Sequence, residues 1–170
     1  MKAGIGSDKE RTCTEHAIEM TVSGPPDEAT NTHIPTFGVP VAEAPYEQRC
    51  AAYAVIHNRA GAVAAVHVPA GYWLPGGGSL AGETPEETVV REVREELGGT
   101  LRLIHKLGEA LQYFFAASEG RYYAMHAVFF RAELIEESHG PAEYTLCWLD
   151  VSYPGPWFFH ACHDWAVRQG

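Results

Sequence analysis

Three glutamates of this sequence are spaced so that a helix would bring their carboxylates together. Glu92, Glu95 and Glu96 stand at positions i, i+3 and i+4, which are neighbours on a helical surface. Like charges at this spacing repel one another and destabilise a helix by roughly a few tenths of a kcal/mol per pair. A hard divalent cation prefers oxygen ligands and would remove the repulsion. The spacing therefore predicts a metal site on one face of a helix.

A glycine run precedes these glutamates. Gly76, Gly77 and Gly78 follow Pro75, and Gly82 comes shortly after them. Glycine lets the backbone adopt positive φ and approach a ligand closely. We therefore expect a loop here whose carbonyls or amides face a metal ion or a phosphate.

The helix that would carry the glutamates has well-specified ends. Thr84 is the predicted N-cap, Pro85 fits the first helical position, and Glu87 completes a capping box with Thr84. Gly98 and Gly99 are expected to end the helix. These signals predict a helix that starts just after the glycine loop and contains all three glutamates.

Apolar strands and turns surround this helix. Over the predicted helix, Pro85–Leu97, the valines Val89 and Val93 form a core-facing stripe next to the acidic face. Ile34–Val41 is interrupted by proline and is at best an edge strand. Further strands are predicted at Cys50–His57, Gly61–Val68, Leu101–Phe115 with a bend at Gly108, Tyr122–Ile135 and Tyr144–Leu149, and a closing helix at Pro156–Gln169.

Length and charge restrict the class of protein. The 170 residues suffice for one domain with a real core. Residues 1–33 are polar and are interpreted as a flexible N-terminal arm, so the domain occupies residues 34–170. The formal net charge of −10 disfavours a nucleic acid polymer as partner. A small anionic substrate stays compatible, because a bound cation inverts the local field.

Composition also gives an expectation about location. The four cysteines are scattered and form no CxxC pair, which favours reduced thiols. No stretch approaches the roughly 20 apolar residues of a membrane span, and Met1–Thr14 lacks the apolar core of a signal peptide. We expect a cytoplasmic protein without a membrane partner. Its oligomeric state stays open, with a homodimer among the options.

The segment that begins at Gly77 resembles the Nudix box, G-x5-E-x7-R-E-U-x-E-E-x-G-U, in which U is a bulky apolar residue. Gly77 and Glu83 match the first two specified positions. The remaining matches follow at the required spacing and are Arg91, Glu92, Val93, Glu95, Glu96 and Gly98. Only the last position departs, since Gly99 replaces the apolar residue, and Leu101 is expected to fill that place. The element order from about Tyr46 to Gln169 is also similar to that of the family.

The resemblance implies a MutT-like Nudix hydrolase domain with an α/β/α sandwich and a mixed β-sheet. It implies a metal-dependent hydrolase, using Mg²⁺ or Mn²⁺, that cleaves the pyrophosphate bond of a nucleoside diphosphate linked to another moiety. The expected partner is a small nucleotide-type substrate. The alternative is a non-catalytic, nucleotide-binding or regulatory protein of the same fold, although such relatives usually lose box glutamates. A second alternative, an isoprenoid diphosphate isomerase with a catalytic cysteine, is disfavoured because only Cys50 lies nearby upstream.

The resemblance also implies roles for single residues. Glu92, Glu95 and Glu96 would be metal ligands, together with the carbonyl of Gly76. Glu92 and Glu95 would also act in catalysis, supported by Arg91. Gly77 and Gly78 would bind substrate, whereas Glu83, paired with Arg91, and Gly98 would be structural. The general base is left open among Glu119, Glu137 and Glu143.

Two further clusters have a simpler interpretation. His160, Cys162 and His163 do not match the spacing of common zinc sites and are expected to be packing or surface residues. The aromatic residues around Phe114 and Tyr123 could stack on a nucleobase, but aromatic residues in strands belong more often to the core.

Overall fold

The computed structural model describes residues 34–136 and 142–170. The predicted arm, residues 1–33, lies outside this part of the chain. The described elements, in chain order, are β1 (Thr36–Phe37), β2 (Tyr46–Ile56), β3 (Val63–Val68), β4 (Gly71–Trp73), β5 (Gly76–Gly78), α1 (Pro85–Leu97), β6 (Thr100–Ala116), β7 (Arg121–Glu136), β8 (Leu146–Leu149) and α2 (Ala161–Val167).

The strands form two sheets. The larger sheet has the order β1-β6-β7-β2-β5, and the smaller one has the order β4-β3-β8. In the larger sheet β2 runs parallel to β7 but antiparallel to β5, while β6 and β7 are antiparallel. The larger sheet is therefore mixed, as predicted. β1 lies at its edge, which agrees with the expectation for the proline-interrupted segment.

The second half of β2, from Ala51 onward, is apolar on both faces because each face is covered by a helix. On one face, Ala51, Tyr53 and Val55 pack with α2, where Cys162 and Ala166 belong to the same core cluster. On the other face, Ala52, Ala54 and Ile56 pack with α1, where they contact Val89 and Val93. Side chains alternate between the faces of a strand, so a continuous apolar run is what a strand between two helices requires. The predicted α/β/α sandwich is confirmed.

Two local predictions need correction. The glycine run is not a loop, because Gly76–Gly78 forms β5 and pairs with β2, where Tyr53 lies opposite Gly76. The closing helix starts later than Pro156, at Ala161. The Asp164 carboxylate accepts hydrogen bonds from the backbone N–H groups of Trp157 and Phe158, which holds the preceding residues in a non-helical turn.

The long strand β6 is bent where the sequence predicts it. Its pairing with β7 shifts register between Lys106 and Gly108. Gly108 has a φ of +155°, and a Cβ at this position would lie 2.8 Å from the Trp165 ring of α2. Glycine at this position therefore leaves room for the Trp165 ring to pack against the strand. Within the described residues, neither helix is long and apolar enough to cross a membrane.

Candidate active site

Local sequence signals fix both ends of α1. The Thr84 side chain accepts from the Glu87 N–H, and the Glu87 carboxylate accepts from the Thr84 N–H, so the predicted capping box is present. At the other end Gly98 adopts the left-handed conformation, with a φ of 64°. The left-handed backbone conformation is unfavourable for residues that have a side chain, so it favours glycine at this position. These two ends set the length of α1, and the apolar side chains of Val89 and Val93 then turn one face of the helix toward the core.

The three glutamates of α1 lie at different depths. Glu96 is 8% exposed and belongs to the buried face of the helix, rather than to a separate face beside it. The Glu92 side chain is 19% exposed and the Glu95 side chain 54%. The helix thus presents a graded row of carboxylates that runs from the core to the solvent.

Glu96 connects α1 to the glycine strand. Its Oε2 accepts a hydrogen bond from the backbone N–H of Gly76, at 2.9 Å. The pKa of Glu96 is raised to about 8, chiefly by burial and also by the negative charges of Glu92, Glu143 and Glu95, while the Gly76 hydrogen bond lowers it. In the part of the chain that the structure describes, no ion pair includes Glu96. The site therefore holds a buried carboxyl whose ionisation a nearby positive charge would favour.

Arg91 organises the other carboxylates. Its guanidinium donates to both oxygens of Glu83, at 2.6 and 2.9 Å, and to the carbonyl of Gly78, at 3.0 Å. A further nitrogen contacts Glu92 at 2.8 Å and Glu95 at 3.1 Å. The hydrogen bond from Arg91 is the main reason that the pKa of Glu83 falls to about 2. Arg91 thereby joins the loop, the glycine strand and α1.

The second glycine of the run makes room for Glu92. A Cβ at Gly77 would lie 2.7 Å from the Glu92 carboxyl carbon, closer than non-bonded atoms approach. At Gly76 a Cβ would meet the Ala52 carbonyl oxygen at 2.2 Å, and the φ there is +135°. Gly76 therefore needs glycine because of the neighbouring strand, whereas a side chain at Gly77 would require the Glu92 carboxylate to move.

Two hydroxyls that the sequence analysis missed support Glu83. Thr88 is completely buried, and its hydroxyl lies 3.1 Å from Glu83 and 3.0 Å from the Ser79 hydroxyl. The backbone N–H of Leu80 also donates to Glu83, at 2.8 Å. The sequence did contain a signal that Thr88 is buried near the start of α1. Thr88 stands one helical turn after the N-cap Thr84 and next to Val89 of the apolar stripe.

Of the two candidate general bases that the structure describes, Glu143 lies near the glutamates of α1. The backbone N–H groups of Glu143 and Tyr144 donate to the carbonyls of Glu95 and Glu96, so this segment lies against the end of α1. The Glu143 charge contributes to the raised pKa of Glu96. Glu119 instead accepts from the Tyr123 hydroxyl. Glu137 lies outside the described residues.

A divalent metal fits this site by the chemistry of its donors. In residues 34–136 and 142–170, no three His, Cys, Asp or Glu side chains converge closely enough to hold a metal ion as they stand. The available donors are nevertheless carboxylate oxygens, which Mg²⁺ and Mn²⁺ prefer. Glu96 is also a buried acid with three acidic neighbours and, among the described residues, no ion-pair partner.

The histidine cluster near the end of the chain is part of the core. His160 and His163 are 2% and 0% exposed, as the packing interpretation expected. Burial raises the pKa of the Cys162 thiol to about 12. Phe114 packs on the rings of Tyr123 and His160, so these aromatic side chains lie in the same part of the core as the histidines.

The family assignment follows from comparison with known proteins. A model of the NUDIX domain matches residues 47–154, which is more than half of the chain. The chain therefore belongs to the NUDIX family. The matched region contains the glycine strand, all of α1 and the segment around Glu143. No curated protein matches the sequence.

Solved structures agree on the fold. A NUDIX hydrolase from Nitrosomonas europaea is 16% identical with a TM-score of 0.55, over 72% of this chain and 88% of that one. A MutT NUDIX hydrolase from Burkholderia pseudomallei is 22% identical with a TM-score of 0.53, over 72% and 98%. A UDP-X diphosphatase is 18% identical with a TM-score of 0.53, over 72% and 62%. At these identities the similarity establishes the fold alone.

Proposed function

We propose that this protein is a divalent-metal-dependent hydrolase that cleaves the pyrophosphate bond of a nucleoside diphosphate linked to another moiety. The observation that carries the proposal is the position of Glu96, buried on the inner face of α1, bonded to the Gly76 N–H and surrounded by acidic groups. A buried acid of this kind is costly unless a cation or a proton accompanies it. The UDP-X diphosphatase among the structural relatives supports the substrate class by analogy.

Glu92, Glu95 and Glu96 would hold Mg²⁺ or Mn²⁺, with the Gly76 carbonyl as a further ligand. When bound, the ion supplies neutralisation of the phosphate oxygens and a lower pKa for a coordinated water. Arg91 keeps the carboxylates of Glu92 and Glu95 within reach through its ion pairs. The glycine strand lies beside them and carries no side chains, so Gly77 and Gly78 would approach the phosphates of a substrate.

Glu143 is the general base that we favour. It lies at the end of α1, and its charge raises the pKa of Glu96. A carboxylate held beside the acidic row would take the proton from the attacking water. The Tyr144 hydroxyl hydrogen-bonds the Glu143 carboxylate, which helps to orient it.

A non-catalytic, nucleotide-binding role is the second candidate. The observation in its favour is that Arg91 already pairs with Glu83, Glu92 and Glu95. If these pairs persist when a metal is offered, the carboxylates would not become ligands. A protein of this kind would bind nucleotides without metal-dependent turnover.

A hydrolysis screen separates the two candidates. Phosphate release would be measured over a library of nucleoside triphosphates, dinucleoside polyphosphates and nucleotide sugars, with Mg²⁺ or Mn²⁺. Inorganic pyrophosphatase is added for the triphosphates and alkaline phosphatase for the other two classes, whose substrates have no terminal phosphate. We expect turnover of at least one substrate class, its loss with EDTA and in Glu96→Gln, and a circular dichroism spectrum that is unchanged. Binding of nucleotides without turnover in any metal would select the second candidate.

The same assay tests the general base. Glu143→Gln should lower kcat by about 100-fold, with little change in the affinity for the metal. Glu119→Gln is the matched comparison, because it removes a carboxylate from a strand-end turn away from α1 and should keep kcat. If the two variants have equal effects, Glu143 has no special role.

A further inference from the structure

A histidine on the far side of the sheet is bonded to the backbone that leads into the glycine strand. His163 of α2 is completely buried. Its Nδ1 accepts a hydrogen bond from the backbone N–H of Leu74, at 3.2 Å. Leu74 is also completely buried and comes two residues before Gly76. The contact joins residues that are 89 positions apart in the chain.

The hydrogen bond defines the state of the imidazole. A ring nitrogen that accepts from an N–H carries a lone pair, so His163 is neutral with its proton on Nε2. Burial lowers the pKa of His163 well below its ordinary value, which agrees with the neutral form. The ring packs on Tyr53 at 4.4 Å and on Phe129 at 5.8 Å between ring centroids, so its orientation is fixed.

The same ring carries an energetic cost. Among the described residues, Nε2 of His163 has no hydrogen-bond partner although it is buried. A buried donor without a partner costs about 1–3 kcal/mol, which an apolar side chain of similar size would avoid. A residue that only filled space here would be better apolar. The histidine therefore points to a use for its Nδ1.

The backbone from Leu74 to Gly76 is held from three directions. The N–H of Leu74 donates to His163 in the α2 layer. The carbonyl of Pro75 accepts from Ala54 in the sheet, at 2.9 Å. The N–H of Gly76 donates to Glu96 in the α1 layer, at 2.9 Å. His163 and Glu96 thus bind the same short segment from opposite faces of the sheet.

We propose that His163 is a positioning residue of the active site: its Nδ1 holds the Leu74–Gly76 backbone from the α2 side and so sets the place of the Gly76 N–H that binds Glu96. Tyr53 adds to this, because a Cβ at Gly76 would lie 2.8 Å from the Tyr53 Cα, and the Tyr53 ring packs against the His163 ring. The expected effects on Mn²⁺ affinity and on kcat rest on the proposed function, whereas the expected effect on amide exchange at Gly76 does not.

Two amide variants of His163 test whether the hydrogen-bond acceptor must stand at the place of Nδ1, or whether any polar side chain suffices. His163→Asn places an oxygen where Nδ1 stands, whereas His163→Gln places its polar group near Nε2 and leaves no acceptor for Leu74. His163→Leu removes the acceptor and keeps an apolar volume. Val167→Ala is the matched control, because it removes buried packing from the same helix without touching this hydrogen bond.

The first readout is amide hydrogen exchange at Gly76, measured by NMR without metal or substrate. We expect faster exchange in His163→Gln and His163→Leu, and near-native exchange in His163→Asn and Val167→Ala. The second readout is Mn²⁺ affinity, from the titration of free Mn²⁺ by EPR, which should weaken about 10-fold in His163→Gln. The third is kcat, which should fall about 10- to 100-fold, since small misplacements of catalytic groups have effects of this size, with KM nearly unchanged.

The proposal is overturned if His163→Gln and His163→Asn give equal exchange rates at Gly76, or if Val167→Ala matches the loss seen in His163→Gln. If His163→Leu does not fold, the comparison of the asparagine and glutamine variants decides. If the wild-type protein hydrolyses nothing, the proposed function fails, while the exchange rates still decide the role of His163.

Discussion

Glu96→Gln should stabilise the metal-free protein at neutral pH while it removes metal-dependent activity. Glutamine keeps an oxygen that can accept from the Gly76 N–H, so the contact between α1 and the glycine strand survives. It has no charge, however, and its amide N–H₂ can donate to the carboxylates of neighbouring Glu92 and Glu95. The substitution therefore removes the buried negative charge without opening a cavity.

The size of the effect follows from the pKa of Glu96, which burial raises from 4.5 to about 8. A carboxyl with a raised folded-state pKa binds its proton more tightly in the folded protein, so its contribution to stability falls as the pH rises from about 4.5 to about 8. For a shift of this size, the free energy of unfolding decreases by about 2–3 kcal/mol between pH 5 and pH 7. Glutamine does not titrate and avoids this decrease.

Urea denaturation in EDTA at pH 5, 6 and 7 would measure the difference in unfolding free energy between variant and wild type. His160 and His163 have lowered pKa values and change stability with pH in the opposite direction, but they cancel in this difference. The advantage of Glu96→Gln should grow by about 2–3 kcal/mol over the range. Glu95→Gln is the control, because the Glu95 side chain is more than half exposed. A difference that stays constant with pH would refute the buried-charge argument.

Two further substitutions test the glycine strand and the arginine network. Gly77→Ala puts a methyl group against the Glu92 carboxylate, so kcat should fall about 100-fold with little change in melting temperature; unchanged kinetics would show that Glu92 moves aside freely. Arg91→Lys cannot reproduce the two bonds to Glu83 and the bond to Gly78. It should lower the free energy of unfolding, measured by urea denaturation at pH 7, by about 1–3 kcal/mol. A denaturation midpoint equal to that of the wild type would contradict this.

Much of α1 and its acidic row could be predicted from the sequence, because helix ends depend on neighbouring residues. The capping box at Thr84, the proline at the first turn and the stop at Gly98 all act within one turn of the chain. The apolar stripe then fixes which side of the helix meets the core. The family resemblance rests on the same local spacing, and the match of the NUDIX domain to residues 47–154 confirms it.

The glycine run shows where local reasoning fails. Three successive glycines are typical of a flexible loop, yet Gly76–Gly78 forms a strand because β2 offers it hydrogen-bonding partners. The late start of α2 has a similar cause, since the side chain of Asp164 ties back the residues before it. In both cases a contact with another segment outweighs the local preference.

The sequence by itself determined the ends of α1, the spacing of its glutamates and the family of the protein, since each depends on residues close together in the chain. Only the tertiary structure decided that Glu96 is the buried acid, that Glu143 lies beside it and that His163 reaches Leu74 from the opposite layer. Burial, pKa and long-range hydrogen bonds depend on how the layers pack, and residues 89 positions apart carry no local signal of their contact.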